Sequence, residues 1–526
     1  MRKHARFVVV SNRLPVVIER NSDGLRAIPG SGGLISAMTP VLRARGGMWI
    51  GWPGHSDGVP EPEVLQTLEA GSADWGFDLV PVFLPEDVAT GYYDGFSNAT
   101  IWPLFHDLQG RTVFEIAYHK AYLDANRMFA DRVESCTEER DFVWVHDYHL
   151  MDVARFLRER GTKRTCAFFL HIPFPPPDIF MKLPWRREIL EALFHYDLLG
   201  FQTFRDRRNF LDCVDDISPC SHPSGRGNVI RIRRENRQVG LGVFPIGIDA
   251  REFENISRSA SAHLAEQSVR ETAGNRKIIL GVDRLDYTKG IPHRLKAFEK
   301  ALGTHPELCG NVTFLQIAVP SREGVEGYLP LRREIEQIAG HINGRFTSSG
   351  WVPVVLMVRG VNREELVAHY RAADVAMVTP LKDGMNLVCK EYCAARTDGA
   401  GVLVLSEFAG AAAQLYRGAM LVNPHDIDGT ADAIAEAVSM PRKEQRRRMR
   451  LLRNTIRQKD VYWWMDTFIQ VASGRKASEF FDGESLRPYP QFLYKGEATD
   501  VTPSPPAGSS GRPGSRTAAP VRAEPS

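Results

Sequence analysis

Short apolar, β-branched runs recur along this chain with stretches of helical spacing between them. In the first half they are Phe7–Val10, Met48–Gly51, Phe77–Phe83, Phe142–Val145, Ala167–Leu170 and Leu198–Phe201. In the second half they are Lys277–Val282, Val312–Ala318, Val354–Val358, Val375–Val378, Val402–Leu405 and Ala419–Val422. Runs this short and this continuously hydrophobic suit strands covered on both faces, as in a parallel sheet wrapped by helices. Two such sets, parted near Val243–Asp249, predict two doubly wound α/β domains with a cleft between them.

Polar residues stand directly after several of these runs. Phe7–Val10 leads into Ser11-Asn12-Arg13, Phe142–Val145 into His146-Asp147-Tyr148-His149, and Ala167–Leu170 into His171-Ile172-Pro173-Phe174. Lys277–Val282 runs into Asp283-Arg284-Leu285-Asp286-Tyr287-Thr288-Lys289-Gly290, and Val375–Val378 into Thr379-Pro380-Leu381-Lys382-Asp383-Gly384-Met385-Asn386. Open parallel sheets bind ligands just beyond the carboxyl ends of their strands. Repetition in both halves marks a site on the cleft.

Composition narrows the partner. The 526 residues carry 66 Lys+Arg against 64 Asp+Glu, a formal net charge of +2, with 43% hydrophobic and 25% charged residues. That is the mix of a globular chain, with no electrostatic footprint for nucleic acid. A small molecule met in the cleft is expected instead. Seven cysteines spread from Cys136 to Cys393 form neither a disulfide framework nor a zinc-binding spacing. The run Phe7–Val10 is too short for the core of a signal peptide, and nothing approaches the roughly 18 apolar residues of a membrane span. These features predict a cytoplasmic, reducing setting and no membrane partner. Lys443 to Arg457 reads as the solvated face of an amphipathic helix. Thr499 to Ser526, rich in Pro, Ser, Gly, Ala and Thr, is expected to be disordered.

The segment Asp383 to Tyr392 comes after a strand and opens a helix. Gly384 would let the backbone approach a ligand, and the helix start offers N–H groups to a diphosphate. Glu391, further along, can accept hydrogen bonds from a ribose. An Asp N-cap with an exposed Glu391 reads equally well from these residues alone. Arg284 and Lys289, five apart on one loop, can neutralise a leaving diphosphate. Ion pairing with Asp283 and Asp286 is the plain alternative. Gly30-Ser31-Gly32-Gly33-Leu34 precedes a helix expected over Ile35 to Arg45. It lacks the G-x-G-x-x-G spacing and does not directly follow the first strand, which counts against a nicotinamide-dependent dehydrogenase. Asp426-Ile427-Asp428 has the D-x-D shape of some metal-using sugar transferases, yet beside Pro424 and Gly429 it reads as a turn. Cys389 and Cys393 share a helical face and read as core.

Taken together the motifs resemble glycosyltransferase family 20, the trehalose-6-phosphate synthases. The resemblance rests on Ser11-Asn12-Arg13-Leu14-Pro15, Gly32-Gly33-Leu34, Tyr92-Tyr93-Asp94-Gly95-Phe96-Ser97-Asn98 and Trp102-Pro103. It continues through Val145 to Leu150, Phe169 to Pro175 and Asp197 to Thr203. In the second half it takes in Val282 to Gly290, Thr379 to Tyr392 and Val404 to Ala411. It runs in order from about Arg6 to Gly474.

The resemblance implies two Rossmann-like domains of GT-B type facing a cleft, with a C-terminal helix returning to the first. On that basis residues 1–246 would form the acceptor-binding domain and 247–455 the nucleotide-sugar domain. Residues 456–475 would form the returning helix, and 476–526 a largely disordered tail. The implied reaction moves glucose from a nucleotide sugar, usually UDP-glucose, to glucose 6-phosphate with retained anomeric configuration and with neither metal nor cofactor. Arg284 and Lys289 would hold the donor diphosphate, beside Gly33, Gly384, Met385 and the backbone of Asn386 and Leu387. Glu391 would take the ribose, and Asp383 and His171 the glucose hydroxyls. Arg13, Tyr93, Trp102 and Arg322 would form the acceptor pocket, with Asp147 near the reacting centre. Asp147, Arg284, Lys289 and Asp383 would carry the chemistry. The acceptor hydroxyl would attack on the face the phosphate leaves, and the phosphate would take its proton; no carboxylate pair is obvious to act otherwise. A dimer or tetramer is implied as well. Lys382 stands where an Arg is common, and Cys389 and Cys393 replace small apolar residues. Two other activities share the scaffold: a glucosylglycerol-phosphate synthase using ADP-glucose and glycerol 3-phosphate, and a non-catalytic sugar-phosphate sensor. The Leu170-His171-Ile172-Pro173 and Asp383-Gly384-Met385-Asn386 segments favour the trehalose branch.

Overall fold

A computed structural model describes residues 5–21, 24–30, 32–54, 60–217, 223–225, 227–234, 237–320 and 328–474. Residues 476–526, expected to form a tail, lie outside that description.

Every predicted run carries a strand. In the first half the strands are β1 (Phe7–Arg13), β2 (Val16–Asn21), β3 (Gly24–Pro29), β4 (Met48–Trp52), β5 (Asp78–Pro81), β6 (Phe142–His146), β7 (Cys166–Phe169), β8 (Leu198–Phe201), β9 (Val229–Arg234) and β10 (Arg237–Val243). In the second half they are β11 (Lys277–Arg284), β12 (Val312–Val319), β13 (Val354–Met357), β14 (Val375–Val378), β15 (Val402–Ser406) and β16 (Met420–Val422). One sheet runs β5-β4-β1-β6-β7-β8-β10-β9 and the other β13-β12-β11-β14-β15-β16. All pairings within them are parallel except β9 on β10. Each sheet begins in its interior, builds outward to one edge, then returns to build the other way. This is the doubly wound Rossmann-like arrangement, and it leaves a switch point between β1 and β6 and another between β11 and β14.

Four strands lie outside the run pattern. The hairpin β2–β3 stands apart from both sheets and fills the gap between β1 and the glycine cluster. β9 is an antiparallel edge strand whose buried positions, Ile230 and Ile232, alternate with arginines, so it shows a period of two rather than a continuous run. β10 is interrupted by Gly240 and Gly242.

The helix Val461–Ser473 lies on the first sheet although its sequence comes after the second. Asp460 accepts from the Trp463 N–H at 2.9 Å to start it, and Gly474, at φ 67°, ends it. Trp144 of β6 stacks on Phe468 with centroids 4.2 Å apart and meets Trp464 at 4.7 Å, while Phe169 of β7 packs edge-on to Trp464 at 5.1 Å. Trp464 and Phe468 are fully buried, each contributing about 2–3 kcal/mol. A Cβ on Gly200 of β8 would lie 2.6 Å from both Phe169 and Phe468. Only glycine leaves room for the helix there.

The connection Phe244–Asp249 between the sheets is pinned from several sides. Ile246 N donates to Gln202 Oε1 at 3.0 Å, and its carbonyl accepts from the Lys390 ammonium at 2.6 Å. Trp464 Nε1 donates to Phe244 O, and Val461 N to Ile248 O, both at 3.1 Å. Lys390 is buried among neutral acceptors, and burial pulls its amine down to about 8. Among the described residues no helix is long and apolar enough to cross a membrane.

Candidate active site

Both switch points open onto one cluster of polar side chains. On the first sheet, Arg13 ends β1 and lies over the Trp52 ring at 4.8 Å, in a space kept open by Gly54. Burial lowers its guanidinium from the ordinary value, with Tyr93 and Tyr92 acting the other way. Tyr93 meets Trp52 edge-on at 5.8 Å and stacks on His149 at 6.0 Å. Asp147 comes directly after β6 with φ 72°; its N–H donates to Phe169 O at 2.8 Å, and its Oδ1 accepts from the His171 N–H at 3.1 Å. The His171 ring is 3.1 Å from His146 through Nε2 and Nδ1. Burial draws His171 down to about 3 and, together with the neighbouring ring, holds His146 well below the ordinary imidazole range.

The second sheet contributes charge. Lys289 pairs with Asp383 at 2.6 Å, and Asn386 Nδ2 donates to the same carboxylate at 3.2 Å. Burial pushes Asp383 up, but Lys289, His106 and Asn386 outweigh it and hold the carboxyl below its usual range. Asp383 is therefore an ionised acceptor at neutral pH. Arg284 is exposed at the end of β11 with its guanidinium 5.9 Å above Trp102 of the first half. Lys382 pairs with Asp107, Arg111 lies over Tyr287 at 4.9 Å, and a Cβ on Gly33 would touch Leu387 at 3.3 Å. Three non-glycine residues have left-handed backbone among the described residues: Asp107, Asp147 and Asn386. All three stand in this cluster, the usual place for stored strain.

The sequence model of glycosyltransferase family 20 matches residues 5–473. The chain belongs to glycosyltransferase family 20. The trehalose-6-phosphate synthase of Mycobacterium sp. (strain JLS) is 44% identical over 480 residues, spanning 90% of this chain and 97% of that protein. The synthase of Mycobacterium tuberculosis (strain ATCC 25618 / H37Rv) is 44% identical over 476 residues, 89% of this chain and 94% of its own. The crystal structure of an α,α-trehalose-phosphate synthase (UDP-forming) from Burkholderia xenovorans in complex with glucose-6-phosphate superposes with a TM-score of 0.80. It is 36% identical and covers 89% of this chain and all of that one. An E. coli structure bound with UDP-2-fluoro glucose gives 0.77 at 36% identity, covering 89% and 99%. The two Rossmann-like sheets and the returning helix are the GT-B fold.

Within this family 20 site several expectations are met by different partners. Gly384 is expected to admit a ligand, but a Cβ there would sit 1.9 Å from the His171 carbonyl oxygen. The backbone that approaches it belongs to the first half of the chain. Asp383 does not cap the helix Val388–Ala395: Asn386 Oδ1 accepts from Cys389 N at 3.3 Å, freeing Asp383 for Lys289. Nor does Lys289 pair with Asp283 or Asp286. Asp283 is bound by the buried Arg294, and Asp286 accepts from Thr288 at 2.9 Å. Glu391 is not an exposed end; it accepts from the Tyr370 hydroxyl at 2.8 Å, and burial raises its carboxyl. The Met385 side chain is buried in the core and its carbonyl accepts from Ala411 N, so it holds the loop's shape. Asp426-Ile427-Asp428 starts a helix rather than a turn, with Asp426 accepting from Gly429 N at 2.9 Å and Asp428 pairing with Lys300. Cys389 and Cys393 are buried, and burial pushes the Cys389 thiol up to about 12. Arg322 lies outside the described residues.

Two histidines have no role in the sequence reading. His106 donates from Nδ1 to the Trp102 carbonyl at 2.7 Å, and burial lowers it to about 4 beside Lys289 and Asp383. His146 occupies the last position of a strand buried on both faces. A polar residue at the carboxyl end of a covered strand is the available signal for His146; His106, four residues after Trp102, gives none.

Proposed function

We propose that this chain makes α,α-trehalose 6-phosphate by moving glucose from UDP-glucose, or another nucleoside-diphosphate glucose, to glucose 6-phosphate. The observation that carries the reading is the meeting of Arg284, Lys289 and Asp383 with Arg13, Trp102, Asp147 and His171 at two facing switch points, in a chain 44% identical to a named synthase over 90% of its length.

The residues divide the work by charge. Arg284 and Lys289 take the diphosphate, where negative charge grows as the glycosidic bond breaks. Leu387 and Asn386 at the start of Val388–Ala395, with Gly33 opposite, line the same end, and Glu391 takes the ribose. Asp383 accepts from glucose hydroxyls, while Lys289 keeps it ionised and in place. Arg13, Tyr93 and Trp102, together with Arg322, receive the sugar phosphate, and Asp147 orients the attacking sugar. The leaving phosphate takes the proton of the incoming hydroxyl on the same face, which needs no side-chain nucleophile and retains the configuration. The low imidazole values keep His106 and His171 neutral, so neither competes with the cations for phosphate. The chain acts as a dimer or tetramer in the cytoplasm, a setting supported by cysteines that are free throughout the described residues.

Purified protein offered UDP-, ADP- and GDP-glucose against glucose 6-phosphate and glycerol 3-phosphate tests the reading. Disaccharide phosphate from glucose 6-phosphate is expected. Product from glycerol 3-phosphate alone would transfer the assignment to the glucosylglycerol-phosphate branch, and none at all to a sensor.

A further inference from the structure

His146 is wholly buried at the end of β6. Its ring lies 5.3 Å from that of His171, nearly parallel to it, with Trp144 at 4.6 Å and Trp464 at 6.3 Å completing the enclosure. Nδ1 bonds to His171 Nε2. His146 Nε2 is buried with no hydrogen-bond partner among the described residues, and so is the indole Nε1 of Trp144 beside it. His171 uses Nε2 for that bond, and the residue is only partly exposed.

These facts decide where the protons sit. Two neutral imidazoles that share one hydrogen bond have two arrangements. If His171 donated, His146 would carry its own proton on Nε2, leaving a buried N–H donor with no acceptor among the described residues. If His146 donates through Nδ1, its Nε2 is a bare lone pair, and an unpaired buried acceptor is less costly than an orphaned buried N–H. His171 must then carry its proton on Nδ1.

We propose that His146 is a positioning residue for glucosyl transfer: its Nδ1–H holds the His171 ring and sets His171 Nδ1–H as a hydrogen-bond donor to a glucose hydroxyl of the nucleotide sugar. The proposal rests on the reading of His171 as a sugar-binding residue. It gives the donor sugar a matched pair of contacts, since Asp383 can only accept and His171 gives. Burial favours the neutral form of both rings, so the pattern holds across the physiological range.

The test uses the full chain with His146→Leu, His146→Asn, His171→Ala and the double variant His146→Leu/His171→Ala. His146→Leu is expected to lower kcat/KM for UDP-glucose about 10- to 100-fold, the scale for removing a group that orients a ligand-binding histidine, and to leave the KM for glucose 6-phosphate unchanged. His146→Asn keeps an N–H near the place of Nδ1 and should restore most of the loss. The double variant should be no worse than His171→Ala. In wild-type protein labelled with nitrogen-15 histidine, the His171 resonances, assigned by their loss in His171→Ala, should report a proton on Nδ1. A proton on Nε2 would overturn the proposal, as would additive losses or an asparagine variant as impaired as leucine with a native melting curve. Should His146→Leu fail to fold, the wild-type spectrum and the asparagine variant decide. Unchanged donor kinetics in His171→Ala would overturn the proposal without touching the transferase reading, which stands on Arg284 and Lys289.

Discussion

The two rims of the site recognise their ligands by different physics. The first sheet presents mostly rings: Trp52, Tyr93, Trp102, His106, His146, His149 and His171, with Arg13 laid on Trp52 and Arg111 reaching across to Tyr287. The second presents ions: Arg284, Lys289, Lys382 and Asp383. Rings hold a neutral, hydroxyl-rich surface by shape and by hydrogen bonds of fixed sense, and they tolerate burial. Ions answer a diphosphate whose charge rises during the reaction, where a preorganised cation is worth most. The chain's near-neutral total, 66 basic against 64 acidic residues, conceals this asymmetry because it sums over the whole surface.

The asymmetry is broken most severely on the ionic side. Arg284→Ala and Lys289→Ala should each lower kcat by two to three orders of magnitude, about 3–4 kcal/mol of transition-state stabilisation. Steady-state rates at saturating substrates measure this, and normal turnover in both variants would remove the diphosphate from that rim.

The ring side should be exposed by acid instead. In the folded chain His171 titrates at about 3, His106 at about 4 and His146 well below its ordinary value. With the folded value beneath the unfolded one of about 6.5, the unfolded chain binds the proton first, so stability falls as pH drops below about 6.5. At pH 5 each such ring costs about 2 kcal/mol. Asp152 and Asp206, raised to about 6 by burial, have the opposite sign and recover part of the loss. Urea melts from pH 7 to pH 5 should show a steep decline that is shallower in His106→Asn. A flat profile in that window would refute the burial account.

The smallest effect is expected where the rims touch. The Asp107–Lys382 pair is partly exposed, so a double-mutant cycle with Asp107→Ala and Lys382→Ala should give a coupling energy of about 0.2–1 kcal/mol. A much larger value in kinetics than in unfolding would mean that the pair acts on closure rather than on the fold.

The sheets are legible in the sequence because strands covered on both faces leave unbroken apolar runs. β9 is not, since Ile230 and Ile232 are separated by arginines at a solvated edge. At the site, residue types are readable and partners are not. Lys289 stands three positions after Asp286 yet bonds Asp383, ninety-four positions away, because the β11 and β14 loops meet at a switch point. The space above Gly384 reads as room for a ligand because local sequence cannot tell which backbone crosses a glycine from another part of the chain.

The returning helix also constrains the order in which this molecule can be built. A chain emerging from the ribosome completes β6, β7 and β8 more than two hundred residues before Val461 exists. Through that interval Trp144, Phe169 and the bare backbone of Gly200 lack the Trp464 and Phe468 that cover them in the finished protein. The first sheet therefore reaches its native surface last rather than first, and its nascent form shows an aromatic face of the kind chaperones bind.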